Sequence, residues 1–287
     1  MKNLKYYISK AQDEKWALGQ FNFSDFTQMK AILDSAVKLK SPVILGTSEG
    51  ESEFFGLDEA VALRNILRKK TRMPIFLNLD HGKSFEYVRQ AIDAGYDMVH
   101  IDGSKLSLDE NIKITKKVVK YAKWREVLVE GEVGRVGNDS SKLYSEKFEI
   151  KEDDLSKPED AVKFIKETKV DLLAVGIGNF HGIEVSGVDP NLRLDVLKKI
   201  KDDVGELPLV LHGGSGTPED DVKEAIKLGV VKININTELR LAFANGLREA
   251  LMGSEEIVPY KFLANAKDLV EKAVESKIEL FGSVGKA

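Results

Sequence analysis

Eight short runs rich in Val, Ile and Leu recur along the chain, at residues 16–23, 43–47, 75–79, 98–101, 127–133, 172–177, 209–211 and 231–235. Each gives way to Gly, Asn, Asp, Ser or His, and segments with helical spacing lie between them. Near-continuous apolar strands belong to sheets covered on both faces, which means parallel strands separated by helices. Eight such units in 287 residues suit a closed α/β barrel of the (β/α)8 TIM type. The expected organisation is one domain over 1–287, with 254–287 as a C-terminal helical extension. A doubly wound sheet fits less well, because no strand-turn-helix unit contains GxGxxG and polar residues follow nearly every strand.

The spacing predicts how helices attach. Asp25 can cap a helix whose residues Met29, Ile32, Leu33, Ala36 and Val37 share one face. In the tail, Phe262, Leu263, Ala266, Leu269, Val270, Ala273 and Val274 recur at helical spacing, for core packing first and a subunit contact second. The segment from Arg135 to about Lys157 is long and polar, the composition of a lid or an ordered excursion.

A net charge of -4 supplies no broad basic field, so nucleic acid is not expected as a partner. No apolar stretch approaches the roughly twenty residues that span a membrane, and the N-terminal segment lacks the apolar core of a signal peptide. A cytoplasmic protein is expected. With no cysteine in the chain, disulfides, thiolate ligands and a cysteine nucleophile are excluded, and a metal would be held by nitrogen and oxygen alone.

Three of the four histidines, His81, His181 and His212, each follow an apolar run. If parallel strands carry them at their carboxyl ends, they meet at one mouth, and three protein ligands with one open position is the composition of a catalytic zinc centre. Three unrelated core or surface histidines are the plain alternative. Asp80 in LNLDHG stands beside His81 as a candidate proton carrier or as a turn aspartate. Asp102 and Glu132, also near strand ends, can serve a second metal position, orient a histidine, or act as caps or surface charges. His100, inside a strand, reads as a satisfied interior histidine. The segments HGGSG (212–216) and NINTE (234–238) have the small residues and hydroxyls of phosphate loops, although each also reads as a turn.

These segments resemble the class II, metal-dependent fructose-bisphosphate aldolases, a family that includes tagatose-bisphosphate aldolases. The resemblance runs over GQFNFSDFTQMKAIL, TSEG, LDHG, IDGS, EGEVG, NFHG, LHGGSG and KININTE. It implies Zn2+ on His81, His181 and His212, with Asp102 and Glu132 at an additional metal position. Asp80 matches the acid that exchanges a proton with the aldehyde oxygen. Gly182, Gly213, Gly214, Ser215, Asn234, Asn236 and Thr237 match segments that hold the triose phosphate, and often a monovalent cation such as Na+ or K+. Ser48 matches a serine near the substrate, and Arg240 stands where fructose-type members present an arginine to the far phosphate. The implied reaction is reversible cleavage of a ketose 1,6-bisphosphate to dihydroxyacetone phosphate and glyceraldehyde 3-phosphate, by a homodimer or larger homo-oligomer.

Three departures qualify the match. Family members commonly carry a GGxED-like segment after EGEVG, whereas this chain reads RVGNDSSKLYSE, with Ser140 in the glutamate's place; Asp139 or Glu146 is the expected substitute base. Val185 replaces a common lysine. Asn236 and Arg240 favour fructose over tagatose. Other readings remain open: a Schiff-base aldolase using Lys232 or Lys105, a metal-dependent phosphosugar isomerase or epimerase, and a barrel without catalysis.

Overall fold

The structure, a computed structural model, describes residues 2–134, 143–144, 152–184 and 191–287. The barrel strands are β1 (Leu18–Asn22), β2 (Val43–Ser48), β3 (Ile75–Gly82), β4 (Met98–Ile101), β5 (Leu128–Val133), β7 (Leu172–Val175), β9 (Leu209–Leu211) and β10 (Val230–Ile235). Two short strands, β6 (Leu143–Tyr144) and β8 (Ile183–Glu184), pair in parallel outside the barrel. All eight barrel pairings are parallel, and the ring closes through β1, where Phe21 pairs with both Leu45 and Ile235. This is the expected (β/α)8 TIM barrel.

Helices α2 (Phe26–Leu39), α4 (Leu57–Thr71), α5 (Phe85–Ala94), α6 (Leu108–Ala122), α7 (Pro158–Thr168), α8 (Leu194–Val204), α9 (Glu219–Lys227) and α10 (Thr237–Leu251) alternate with the strands. A shorter α3 (Glu49–Phe55) follows β2 directly. The Asp25 carboxylate accepts from the Gln28 N–H at 2.8 Å and starts α2 as expected. Met29, Ile32, Leu33 and Ala36 are buried, while Val37 is exposed at the margin of that face. The tail forms α11 (Pro259–Leu280), whose stripe Ala266, Val270, Val274 and Ile278 is fully buried, the last three within the main core. Gly246 lets α10 approach α11 closely, since a Cβ there would stand 2.5 Å from the Ala266 backbone.

The barrel interior is divided along its axis. One inward position on each strand is apolar near its start, as at Leu18, Ile44, Phe76, Met98, Leu172 and Val210. These pack on Leu4, Tyr7, Ile8 and Ala11 of α1 (Leu4–Glu14), which plugs that end. Two residues further along, the inward positions become polar: Gln20 then Asn22, Asn78 then Asp80, Glu130 then Glu132, Lys232 then Asn234, all buried. A register shift between Val230 and Lys232 lets both Val231 and Lys232 face inward. The dry, plugged end stabilises the fold, and the polar residues gather at the carboxyl ends of the strands.

Candidate active site

His81 is placed by a break in its strand. Simple alternation would send Asp80 and His81 to opposite faces, but the pairing of β3 with β4 slips between Leu79 and Gly82, and His81 has φ 53°. A left-handed conformation costs a non-glycine residue about 1–3 kcal/mol and is retained where the surroundings enforce it. Here it turns the imidazole inward beside Asp80. The Asp102 carboxylate meets Nδ1 of His81 at 2.8 Å, and is itself held by the Ser104 hydroxyl and N–H. Asp102 therefore orients the histidine through its other nitrogen, leaving Nε2 to face Nδ1 of His212 at 2.9 Å. Burial works against charge on His81, but Asp80, Asp102 and Glu132 outweigh it and hold the pKa up to about 10.

His212, just beyond β9, is fully buried, and its Nε2 lies 2.6 Å from Glu130. Glu130 also accepts from the Lys232 ammonium at 2.8 Å. Burial opposes the charge of Glu130, yet Lys232 and His212 keep its carboxyl below the usual range. Lys232 donates in addition to Asn234 at 2.8 Å, so its amine is committed beneath the mouth and is ill placed for a Schiff base. Burial, opposed by Glu130, lowers the pKa of His212, and burial with the neighbouring His81 and His212 lowers that of His181 strongly. Both imidazoles are thereby kept in the neutral form that ligates metals.

His100 departs from the sequence expectation of a satisfied interior histidine. Its ring centroid lies 4.7 Å from that of His81 and 4.8 Å from that of His212, so it belongs to the cluster. Its Nδ1 accepts the His81 backbone N–H at 3.2 Å, whereas Nε2 is buried without a hydrogen bond, 3.3 Å from an equally unpartnered Glu132 Oε2. Buried polar atoms are seldom left so, and these lie beside converging imidazole nitrogens. Two overlapping groups bring possible ligand atoms within 4.8 Å of one another: Asp80, His81, His100 and His212, and His81, Asp102 and Glu132. The residues fit a divalent metal. His181 stands outside both tight groups, with its ring 4.7 Å from that of His81 and 6.1 Å from that of His212.

Asp80 is held by two amides: Asn22 donates to Oδ2 at 3.0 Å and Asn234 to Oδ1 at 2.9 Å. Burial alone would raise its pKa, but the positive charges nearby, that of His81 first and that of Lys232 as well, more than offset this and keep it an ionised carboxylate. Gln20 and Asn78 extend the amide chain deeper, through Gln20 to Asn22 at 3.2 Å and Asn78 to Gln20 at 2.7 Å.

The phosphate-type segments adjoin this cluster. Gly213 has φ 63°, and a Cβ there would stand 2.1 Å from the Phe180 carbonyl oxygen, so only glycine fits. Gly214 N–H is bonded to the Asn234 carbonyl and Gly216 N–H to Glu238, while Ser215 Oγ accepts the Glu238 N–H at 3.4 Å. Thr237 opens α10, and Gly182 lies directly beyond His181. Ser48 caps α3 in a reciprocal box with Glu51. Arg240 and Asn236, on which the fructose preference rests, both donate to the Glu51 carboxylate. Asp139, Glu146, Ser140 and Val185 lie outside the described residues.

The chain matches the family described as class II fructose-bisphosphate aldolase over residues 2–286. It belongs to that family. It is 38% identical to a fructose-bisphosphate aldolase of Geobacillus stearothermophilus, covering 99% of this chain and 98% of the relative. It is 39% identical to a 6-phospho-5-dehydro-2-deoxy-D-gluconate aldolase of Bacillus subtilis, covering 99% and 97%. The crystal structure of the YdjI aldolase of Escherichia coli K12 superposes with a TM-score of 0.85 at 30% identity, covering 100% and 99%. The class II aldolase is a metal-dependent carbon–carbon lyase.

Proposed function

We propose that this aldolase cleaves and forms a ketose 1-phosphate, the class that includes fructose 1,6-bisphosphate, with dihydroxyacetone phosphate as one product. The observation that carries the reading is Asp80: an ionised, buried carboxylate 3.9 Å from Nε2 of His81, fixed by two amides and therefore aimed. Zinc is the proposed metal, on His81, His181 and His212, with Asp102 and Glu132 at an additional position; when bound it supplies Lewis acidity at the triose carbonyl. In cleavage Asp80 takes the proton of the hydroxyl on the carbon that becomes the aldehyde, the adjacent carbon–carbon bond breaks, and its electron pair stays with the triose. In condensation Asp80 returns that proton. Gly182, Gly213, Gly214, Ser215, Asn234, Asn236 and Thr237 are the proposed phosphate segments, with Na+ or K+ as the proposed counterion and Ser48 near the substrate. Binding energy at this non-reacting group aligns the reacting carbon. Asp139 or Glu146 is the proposed base for the triose carbon, and unchanged dihydroxyacetone phosphate proton exchange after replacing both would remove that role.

The test is to incubate the metal-loaded protein with fructose and tagatose 1,6-bisphosphates and fructose 1-phosphate and to trap triose phosphate. Release that is abolished by chelator and indifferent to borohydride supports the reading. Ketose interconversion without trioses would instead establish an isomerase or epimerase.

We further propose a homodimer or larger assembly in the cytoplasm. Leu251, Met252, Ile257 and Tyr260, around the α10–α11 connection, expose large apolar side chains suited to a subunit contact. No helix among the described residues is long and apolar enough to cross a membrane.

A further inference from the structure

Next to Asp80, across the shared Asn22 amide, the chain already holds an anion of its own. Glu51 is buried, and its Oε1 accepts from Arg240 Nη2 at 2.6 Å and from Asn236 Nδ2 at 3.3 Å. Its Oε2 accepts from the Ser48 backbone N–H at 2.8 Å and from Asn22 Nδ2 at 3.0 Å. Donors from β1, the α3 cap, the β10–α10 junction and α10 thus converge on one carboxylate. A guanidinium, two amides and a main-chain N–H directed at a single point form an anion pocket. The same Asn22 amide donates to Asp80, so only one side chain separates this pocket from the proton-transferring carboxylate.

An aldehyde ending in phosphate would have to displace Glu51 from all four donors, or share them with a like charge at close range. Displacement would also break the box that starts α3, since Glu51 is its reciprocal member with Ser48. A neutral hydroxyaldehyde meets no such conflict and finds acceptor oxygens for its hydroxyls.

On the aldolase reading above, we propose that Glu51 is a specificity-determining residue that fills the distal anion pocket and selects an aldehyde partner without an anionic end. Arg240, matched by Glu51, then shapes the acceptor site rather than binding a second phosphate.

The experiment compares condensation of dihydroxyacetone phosphate with D-glyceraldehyde and with D-glyceraldehyde 3-phosphate in the metal-loaded wild type, Glu51→Gln, Glu51→Ala and the double variant Glu51→Gln/Arg240→Met. Glu51→Gln preserves length and a capping oxygen, which guards against misfolding in Glu51→Ala. The wild type is expected to prefer the neutral aldehyde. Both single variants should shift the kcat/KM ratio toward the phosphorylated aldehyde by roughly tenfold or more, chiefly through its KM, and Arg240→Met should reverse the gain. An unchanged ratio in Glu51→Gln, or a wild type that already prefers the phosphorylated aldehyde, overturns the role of Glu51. Proton exchange into dihydroxyacetone phosphate by the wild type separates the two readings: its absence overturns the aldolase assignment and this proposal together, while its presence with an unchanged ratio overturns this proposal alone.

Discussion

Asp80 and Lys232 illustrate opposite uses of a buried charge. Asp80 is supported by amides that hold it without neutralising it, which suits a group that must gain and lose a proton. Replacing it with alanine should lower cleavage by about 10²–10⁴-fold, while metal content measured by elemental analysis stays at the wild-type level. Lys232 instead matches Glu130, which in turn holds His212. Lys232→Met leaves Glu130 buried without its cation and should cost about 3–5 kcal/mol of stability in denaturant titration, with Lys232→Met/Glu130→Gln recovering part of it. His81 gives a pH signature in metal-free protein. Its folded pKa of about 10 lies above the unfolded value of about 6.5, so its stabilising contribution is complete below about 6.5 and is lost as pH rises through 10. His181 and His212 are depressed, so the unfolded state takes up more protons and stability also falls below about 6.5. The melting temperature of chelated protein should therefore peak near neutrality. A continued rise from pH 7 to 10 would contradict this assignment of charge.

At the scale of elements, the strand runs foretold the barrel closely because strands buried on both faces must be apolar almost throughout. The polar exceptions carried the finer message. Gln20/Asn22, Asn78/Asp80, Glu130/Glu132 and Lys232/Asn234 are spaced by two in otherwise apolar runs, the signature of side chains pointing into a barrel. That spacing could have identified Glu130, Lys232, Asn22 and His100 as site residues. Beyond its capping box with Ser48, Glu51 gave no comparable signal, since Asn22, Asn236 and Arg240 lie 29, 185 and 189 residues away and only the closed ring joins them to it. The bulge at His81 was equally hidden, because a register slip depends on the pairing partner as much as on the sequence of the strand. The α10–α11 contact offers a test at this scale. Gly246→Leu forces a side chain against the Ala266 backbone and should destabilise the protein by about 1–3 kcal/mol, seen as a lower denaturation midpoint.

Across the whole molecule, one end of the barrel is closed by α1 and apolar side chains and the other concentrates four histidines, five carboxylates and a lysine. The division explains how a fold can be stabilised by one half of its interior while the other half carries partly unsatisfied polar groups such as His100 and Glu132. It also brings the candidate metal ligands together from β3, β4 and β5, the position just beyond β9 and the segment carrying His181. We propose that this cluster binds the metal on which carbon–carbon cleavage depends. The most direct measurement is zinc stoichiometry and triose phosphate release from a ketose 1-phosphate on the same samples: wild type, chelator-stripped, zinc-restored and His212→Ala. Bound zinc and cleavage are expected to vanish together on stripping, return together on restoration, and be absent together in His212→Ala. Undiminished cleavage by fully stripped protein would contradict the account.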